Sequence, residues 1–130
     1  MAVLNEEQSM LRDMARTWTQ EKSPVGAFRK MRDSGAPNGY DPAAFAEMAE
    51  MGWTGVIIPE AYGGSDFGYL SLGLVLEETG RTLTASPLLA SALASASAIV
   101  LGGSDAQKSK YLPQIAEGSL VGALAVDEGA

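Results

Sequence analysis

The hydrophobic positions of the chain recur mostly at helical spacing, beginning near its start. The first apolar stripe follows the i, i+3, i+4, i+7 pattern of one buried helix face and consists of Leu11, Met14, Ala15 and Trp18. Asn5 stands before this stripe with Gln8 three positions later, which is the spacing of a capping box. A first helix is therefore predicted to begin just after Asn5.

The same kinds of signal predict the helices that follow. Helix start signals stand at 41–42, 86–87 and 104–107. In the first two a capping side chain is followed by a proline, and in the third the capping Ser is followed three positions later by the Gln of a capping box. The further predicted helices span 25–31, 42–51, 70–83, 88–101 and 105–117. Together they predict an all-α fold, an up-and-down bundle of about six helices.

One stretch, Gly52 to Gly64, interrupts the helical pattern with glycines, a proline and a large aromatic residue. Pro59 fixes its own φ and favours an extended conformation at the residue before it. The segment Val56 to Ile58 is short, apolar and β-branched, which is typical of a buried extended segment. We therefore expect one short extended segment crossing the domain between two helical halves.

A second non-helical pattern lies at residues 120–126, where an apolar run is bounded by turn and acidic residues. This run predicts a β-strand. The sequence offers no partner strand, and a single strand leaves its own backbone donors and acceptors unpaired. Either a sheet domain begins here or another chain completes the sheet. The predicted domains are a helical domain over 1–119 and the first strand of a β-domain over 120–130.

Composition narrows the possible chemistry. The 130 residues include 16 acidic and 9 basic side chains, a formal net charge of -7, which disfavours nucleic acid and anionic membranes as partners. The chain has no Cys and no His, so thiolate nucleophiles, Ser-His relays and imidazole or sulfur metal sites are excluded, and no metal site is predicted. No apolar run is long enough to span a membrane and no secretory signal is evident, so a cytoplasmic location is expected.

Two groups of residues are candidates for chemistry or binding. Glu77 and Glu78 precede Arg81 by one helical turn, which favours local ion pairing over a pair of catalytic carboxylates, since adjacent helical residues do not face each other. The other group is a helix face with almost no bulk and consists of Pro87, Ala90, Ser91 and Ala94. Such a face either lets another backbone approach closely or forms one wall of a ligand cavity. The pattern alone favours close packing.

These features occur in an order that resembles one known family. The Gly-Trp-x-Gly-Val-x-x-Pro-Glu-x-Tyr-Gly-Gly sequence of 52–64, the Glu77-Glu78 helix, the Ser-Asp-Ala-Gln-Lys-x-Lys-Tyr-Leu-Pro sequence of 104–113 and the terminal run are similar to the N-terminal part of the acyl-CoA dehydrogenase family. The resemblance spans essentially the whole chain, which would make it a fragment or a divergent member. Order and spacing carry the resemblance rather than any single motif.

The resemblance implies a flavoenzyme of three parts, with this chain as the all-helical N-terminal domain before a middle β-domain and a C-terminal helical bundle. Such enzymes dehydrogenate an acyl-CoA thioester to a 2-enoyl-CoA, with FAD as cofactor and electron-transfer flavoprotein as partner. The carboxylate base normally comes from the C-terminal bundle, so no catalytic residue is assigned here and the domain alone would be inactive. A role in fatty acid or lipid catabolism and a homo- or hetero-oligomer are implied as well.

The resemblance also implies two sets of site residues. In the family the helix after the Glu-Glu pair lines the acyl pocket, which reverses the preference for packing at the small-residue face. The implied substrate wall is Pro87, Ala90, Ser91 and Ala94. Its small side chains imply room for a long, branched or polycyclic acyl group. The implied FAD contacts are Leu124, Val126 and Asp127.

Three other interpretations stay open. The family usually reads Thr-Glu-Pro where this chain has Asp127-Glu128-Gly129, and an ionised Asp lacks the hydroxyl donor of Thr. That change is compatible with a heteromeric dehydrogenase in which only one subunit of a pair holds a competent flavin site. The length alone would also fit a non-catalytic helical interaction module. An acyl-CoA oxidase would use the same scaffold and pass its electrons to oxygen.

Overall fold

A computed structural model describes residues 3–127 and residue 129 of the chain. The α-helices of this part are α1 (Glu6–Lys22), α2 (Val25–Asp33), α3 (Pro42–Glu50), α4 (Gly68–Arg81), α5 (Ala96–Gly102) and α6 (Asp105–Ala116). A π-helical segment, Leu88–Ser95, leads directly into α5, and two short 3-10 turns lie at Trp53–Gly55 and Glu60–Tyr62. The described part contains no strand, so the predicted all-α class is confirmed.

The helices begin where their capping residues stand in the sequence. Asn5 accepts a hydrogen bond from the Gln8 backbone N–H at 2.7 Å, and the Gln8 side chain accepts one from the Asn5 N–H in return. Ser104 and Gln107 form the same reciprocal pair at the start of α6. Each box satisfies two of the backbone donors that a helix N-terminus leaves free. Both capping boxes predicted from the sequence are confirmed.

The buried side chains form two adjoining clusters. The first joins α1, α3 and α4 to the π-helical segment and contains Ala15, Trp18, Phe45, Met48, Trp53, Val75, Leu88 and Ala92. The second joins the 56–58 segment to α4, α5 and α6 and contains Val56, Ile57, Ile58, Leu72, Ala96, Leu112, Ile115 and Ala116. Trp18 and Trp53 meet edge to face, with ring centroids 5.4 Å apart. Met14, placed on the buried face of α1 by its spacing, is 51% exposed instead.

The predicted extended segment at Val56 to Ile58 is wrong. Val56 has helical dihedrals, φ -55° and ψ -41°, and the segment continues the 3-10 turn before it. Its carbonyls are satisfied by a returning loop, because Phe67 N–H donates to Val56 O at 2.8 Å and Asp66 N–H donates to Ile58 O at 3.1 Å. The β-branched residues are buried as expected, but in a compact loop rather than a strand.

The predicted terminal strand has no counterpart in the described residues. Positions 120–127 form neither helix nor strand there. A strand is defined by pairing with a second strand, so membership of this run in a sheet, and the domain boundary at 119, stay predictions. None of the helices in the described part is both long and apolar enough to cross a membrane.

Candidate functional site

The π-helical segment Leu88–Ser95 carries the small side chains that the sequence singled out. Its core side consists of Leu88 and Ala92, both almost completely buried. The predicted substrate wall divides across the other sides: Ala90 is exposed, Pro87 and Ala94 are half-buried, and Ser91 is only 1% exposed. Ala90 and Ala94 therefore remain open to a ligand, whereas Ser91 points inward.

This segment departs from the regular α-helix that its sequence predicts. The Ala96 N–H donates to Ser91 O, the i→i+5 bond of a π-helix. The Leu88 N–H lies 3.5 Å from Ser86 Oγ, which is too long for the cap predicted at Ser86. Single π-helical turns inside helices are frequently found at functional sites. Hydrophobic periodicity and capping signals do not distinguish a π-helical turn from an α-helical one, so the sequence could not predict this feature.

The terminal run packs against this segment. The Gly122 N–H donates to Ser91 Oγ at 3.0 Å, and the Leu120 N–H donates to Gln114 O at 3.1 Å. A Cβ at Gly122 would lie 2.2 Å from Ser95 Oγ, so the backbone approaches as closely as a glycine allows. At Ser91 the small-residue face thus serves close packing. A glycine within an apolar run often marks the close approach of another part of the chain, and Gly122 is such a glycine.

The three predicted flavin contacts follow this docking point and face outward. Leu124 is 54% exposed, Val126 is 77% exposed and Asp127 is exposed. Within the described part of the chain, no hydrogen bond engages the backbone of 123–127, so these donors and acceptors are free for a neighbouring strand or a ligand. Exposed apolar side chains with free amides fit a flavin contact, whereas the Asp127 carboxylate can only accept hydrogen bonds when ionised.

The acidic pair on α4 has a structural role. Arg81 Nη2 lies 2.6 Å from Glu77 Oε1, which confirms the predicted local ion pairing. Glu78 is 2% exposed and is bound mainly by Arg16 of α1, at 2.9 Å. The hydrogen bond and charge of Glu78 raise the pKa of Arg16 above its ordinary value. Arg16 was not anticipated because it lies far from Glu78 in sequence.

Two cavities of the described part lie away from this segment. One of about 410 Å³ opens between α2 and the start of α3, beside Phe28 and Met31. A shallower one of about 530 Å³ runs along α1 at Met10 and Met14. Neither is lined by residues 87–94. Among the described residues no cluster of acidic side chains could hold a metal ion. Because Ala90 is exposed and Ala94 is half-buried, this part of the predicted wall is an open face of the chain.

Comparison with known proteins identifies one family. Residues 5–119 match the family model described as acyl-CoA dehydrogenase, N-terminal domain. The mitochondrial isovaleryl-CoA dehydrogenase of Pongo abelii is 35% identical over 127 residues, a match that covers 96% of this chain and 30% of the relative. The chain thus spans under a third of the length of that curated relative.

Solved structures share the fold. A variant described as a steroid ACAD superposes with a TM-score of 0.78 at 31% identity, covering 88% of this chain and 30% of that one. The ChsE4-ChsE5 complex from Mycobacterium tuberculosis gives a TM-score of 0.82 at 22% identity, covering 93% of this chain and 33% of its own. The second likeness concerns the fold alone.

Proposed function

The chain belongs to the acyl-CoA dehydrogenase family, whose N-terminal domain it matches, and we propose that it forms one wall of the acyl-binding site in an FAD-dependent acyl-CoA dehydrogenase. The observation that best supports this proposal is the open face at Ala90 and Ala94. It lies beside the run 120–127, which contains Leu124 and binds the same helical segment through Gly122. An exposed surface of small side chains leaves room for a ligand, and a second domain would close it.

The proposed reaction removes a proton from Cα and a hydride from Cβ of an acyl-CoA thioester, giving a 2-enoyl-CoA. FAD, when bound, supplies the acceptor for the hydride. This chain's part is to exclude water along the acyl chain and to present backbone groups of Leu124 and Val126 to the flavin. The base is proposed to lie in the C-terminal bundle, as the family resemblance implies, and Glu77 and Glu78 are instead paired with Arg81 and Arg16. Glu60 stands at an exposed 3-10 turn, and Glu128 lies outside the described residues.

The substrate class is proposed to be branched or polycyclic acyl-CoA. A wall built from alanines occupies little volume, so the space beside it suits an acyl group wider than a straight chain. Two relatives are consistent with that expectation: one is named for isovaleryl-CoA, a branched substrate, and the other is described as a steroid enzyme. Pro87, half-buried at the start of the same segment, would bound one end of the wall.

The wider setting is proposed from the family. The full protein would act in the cytoplasm in fatty acid or lipid catabolism, assemble as an oligomer, and pass its electrons to electron-transfer flavoprotein. A heteromeric dehydrogenase is a second candidate, which Asp127 favours because its carboxylate replaces a hydroxyl donor at the predicted flavin contact. Negative charge there would also oppose a reduced, anionic flavin.

The test uses the full protein that carries this chain. It should purify with FAD, visible in its absorption spectrum, and oxidise branched or steroid acyl-CoA thioesters in the presence of electron-transfer flavoprotein. Activity confined to short straight-chain acyl-CoA would overturn the proposed substrate class. Absence of both flavin and activity, alone and with a co-expressed partner subunit, would overturn the function. Stoichiometric FAD in every subunit would exclude the heteromeric candidate.

A further inference from the structure

We propose that Ser91, Ser95 and Gly122 form an interlock that positions the run 120–127 across the π-helical segment, and so sets the spacing between the flavin contacts and the acyl wall. The proposal rests on the proposed function, in which the flavin contacts and the acyl wall form the two halves of the site. None of the three residues of the interlock contacts the substrate. They are positioning residues.

A hydrogen bond forms the first part of the interlock. The Gly122 N–H donates to Ser91 Oγ at 3.0 Å, across 31 positions of sequence. Ser91 is 1% exposed, so water cannot replace Gly122 as its partner without moving the run. A buried polar group that loses its partner costs more than the bond itself contributes. The bond therefore fixes where the run crosses the helix.

A steric contact forms the second part. A Cβ on Gly122 would meet Ser95 Oγ at 2.2 Å and Ser95 Cβ at 2.8 Å. The hydroxyl can rotate away, but the Cβ of Ser95 is fixed by the helix backbone. Any side chain at position 122 must therefore lift the run off the helix. Ser91 and Ser95 lie four positions apart and so share one helix face, where Ser91 binds Gly122 and Ser95 leaves no room for a side chain on it.

The position of the interlock gives it a functional consequence. Ala90 and Ala94 each precede one of the two serines, so the open wall and the docking face are neighbours on the same helical segment. Leu124 follows Gly122 by two residues. A shift of the run by about 1 Å would change the flavin-to-substrate geometry, and misplacement of that size can lower the rate about 100-fold.

The kinetic experiment uses the full protein with four variants. Gly122→Ala should lower kcat/KM for its best acyl-CoA about 10- to 100-fold and shift the flavin absorption spectrum. Ser95→Gly removes both clashing atoms, so the double variant Gly122→Ala with Ser95→Gly should recover the spectrum and most of the activity. Ser95→Gly alone should have a small effect. Gly26→Ala is the matched control, since a Cβ there has no neighbour within 4 Å.

Hydrogen exchange of the Gly122 amide provides a readout that does not depend on activity. This amide should be protected in the native protein and in the double variant, and should exchange faster in Ser91→Ala, which removes the acceptor. Fast exchange of the Gly122 amide in the native protein would overturn the interlock. So would an equal loss of amide protection and of kcat/KM in Gly122→Ala and in the double variant with Ser95→Gly. Exchange of the Gly122 amide can confirm the interlock in a protein that binds flavin. If Gly122→Ala then changes neither the flavin spectrum nor kcat/KM, the positioning role of the interlock is overturned. A protein without flavin or activity would overturn the proposed function and that positioning role with it, while exchange still decides the interlock.

Discussion

Arg16 of α1 binds Glu78 of α4 through two hydrogen bonds, Nη2 to Oε1 at 2.9 Å and Nε to Oε2 at 3.3 Å, across 62 positions of sequence. The carboxylate is almost completely buried, while the guanidinium remains partly in water. A bidentate pair of this kind fixes orientation as well as distance. It therefore sets the alignment of α1 on α4, the helix that leads towards the π-helical segment.

Loss of Arg16 should destabilise the protein. Arg16→Met leaves the Glu78 carboxylate buried with Arg81, at 3.6 Å, as its one remaining ionic partner among residues 3–127. The thermal unfolding midpoint of the full protein should fall clearly. Arg12→Met, which removes an exposed pair with the adjacent Asp13, is the matched control and should have little effect.

A double variant distinguishes pairing from packing at this site. Arg16→Met with Glu78→Met replaces both charges by apolar groups, and such replacements of buried pairs are often neutral. We expect the double variant to unfold at a higher temperature than Arg16→Met alone. If the decreases in unfolding midpoint of Arg16→Met and of Glu78→Met simply add in the double variant, the ion pair does not explain the effect of Arg16.

Thr54 caps the end of α6 from a distance. Its Oγ1 donates to Ala116 O at 2.6 Å, and both residues are buried. Thr54→Val keeps the shape but leaves one of the last carbonyls of the helix without a donor, which should cost about 1–3 kcal/mol in the free energy of unfolding. Thr17→Val, at an exposed position of α1, is the control and should change that energy by less than about 0.5 kcal/mol. Equal effects of the two variants in denaturant titrations would contradict the capping role.

Gly64 and Gly73 should respond to alanine in opposite directions. A Cβ at Gly64 would lie 1.9 Å from the Ile58 carbonyl oxygen, which already accepts from Asp66, so Gly64→Ala should destabilise by about 2–4 kcal/mol. Gly73 lies exposed within α4, where a Cβ meets nothing within 4 Å. Gly73→Ala should stabilise by about 0.5–1 kcal/mol, because alanine favours the helix. Chemical denaturation measures both, and a stable Gly64→Ala variant would show that the loop can relax.

The sequence predicted those parts of the fold that depend on near neighbours. The start of α1 follows from Asn5 and Gln8, and the start of α6 from Ser104 and Gln107, because each capping box lies within one helical turn. The apolar stripes then identify the all-α class. The start signal at 86–87 also predicted a helix over 88–101, and the family resemblance only added a role for its Ala90 and Ala94.

The parts that could not be predicted depend on distant residues. Val56 to Ile58 has the composition of a strand, but it forms a compact loop in which Asp66 and Phe67 donate backbone hydrogen bonds to its carbonyls. The burial of Glu78 depends on Arg16, and the inward side of Ser91 depends on Gly122. Local periodicity contains no information about such pairs, so the small-residue face was assigned as one set although Ser91 is buried against Gly122 and Ala90 is exposed.

Ala94 and Ala90 should control which acyl groups the full protein accepts. Ala94→Leu adds bulk at the half-buried part of the open wall, so kcat/KM for a branched or polycyclic acyl-CoA should fall about 10-fold or more while that for a short acyl-CoA changes little. Ala90→Leu should act in the same direction. Ala43→Leu, at an exposed position of α3, is the control for added bulk. Steady-state kinetics with two acyl-CoA substrates of different width give the ratio. A parallel fall for both substrates would mean that the variants disturb folding or flavin binding rather than the width of the acyl site.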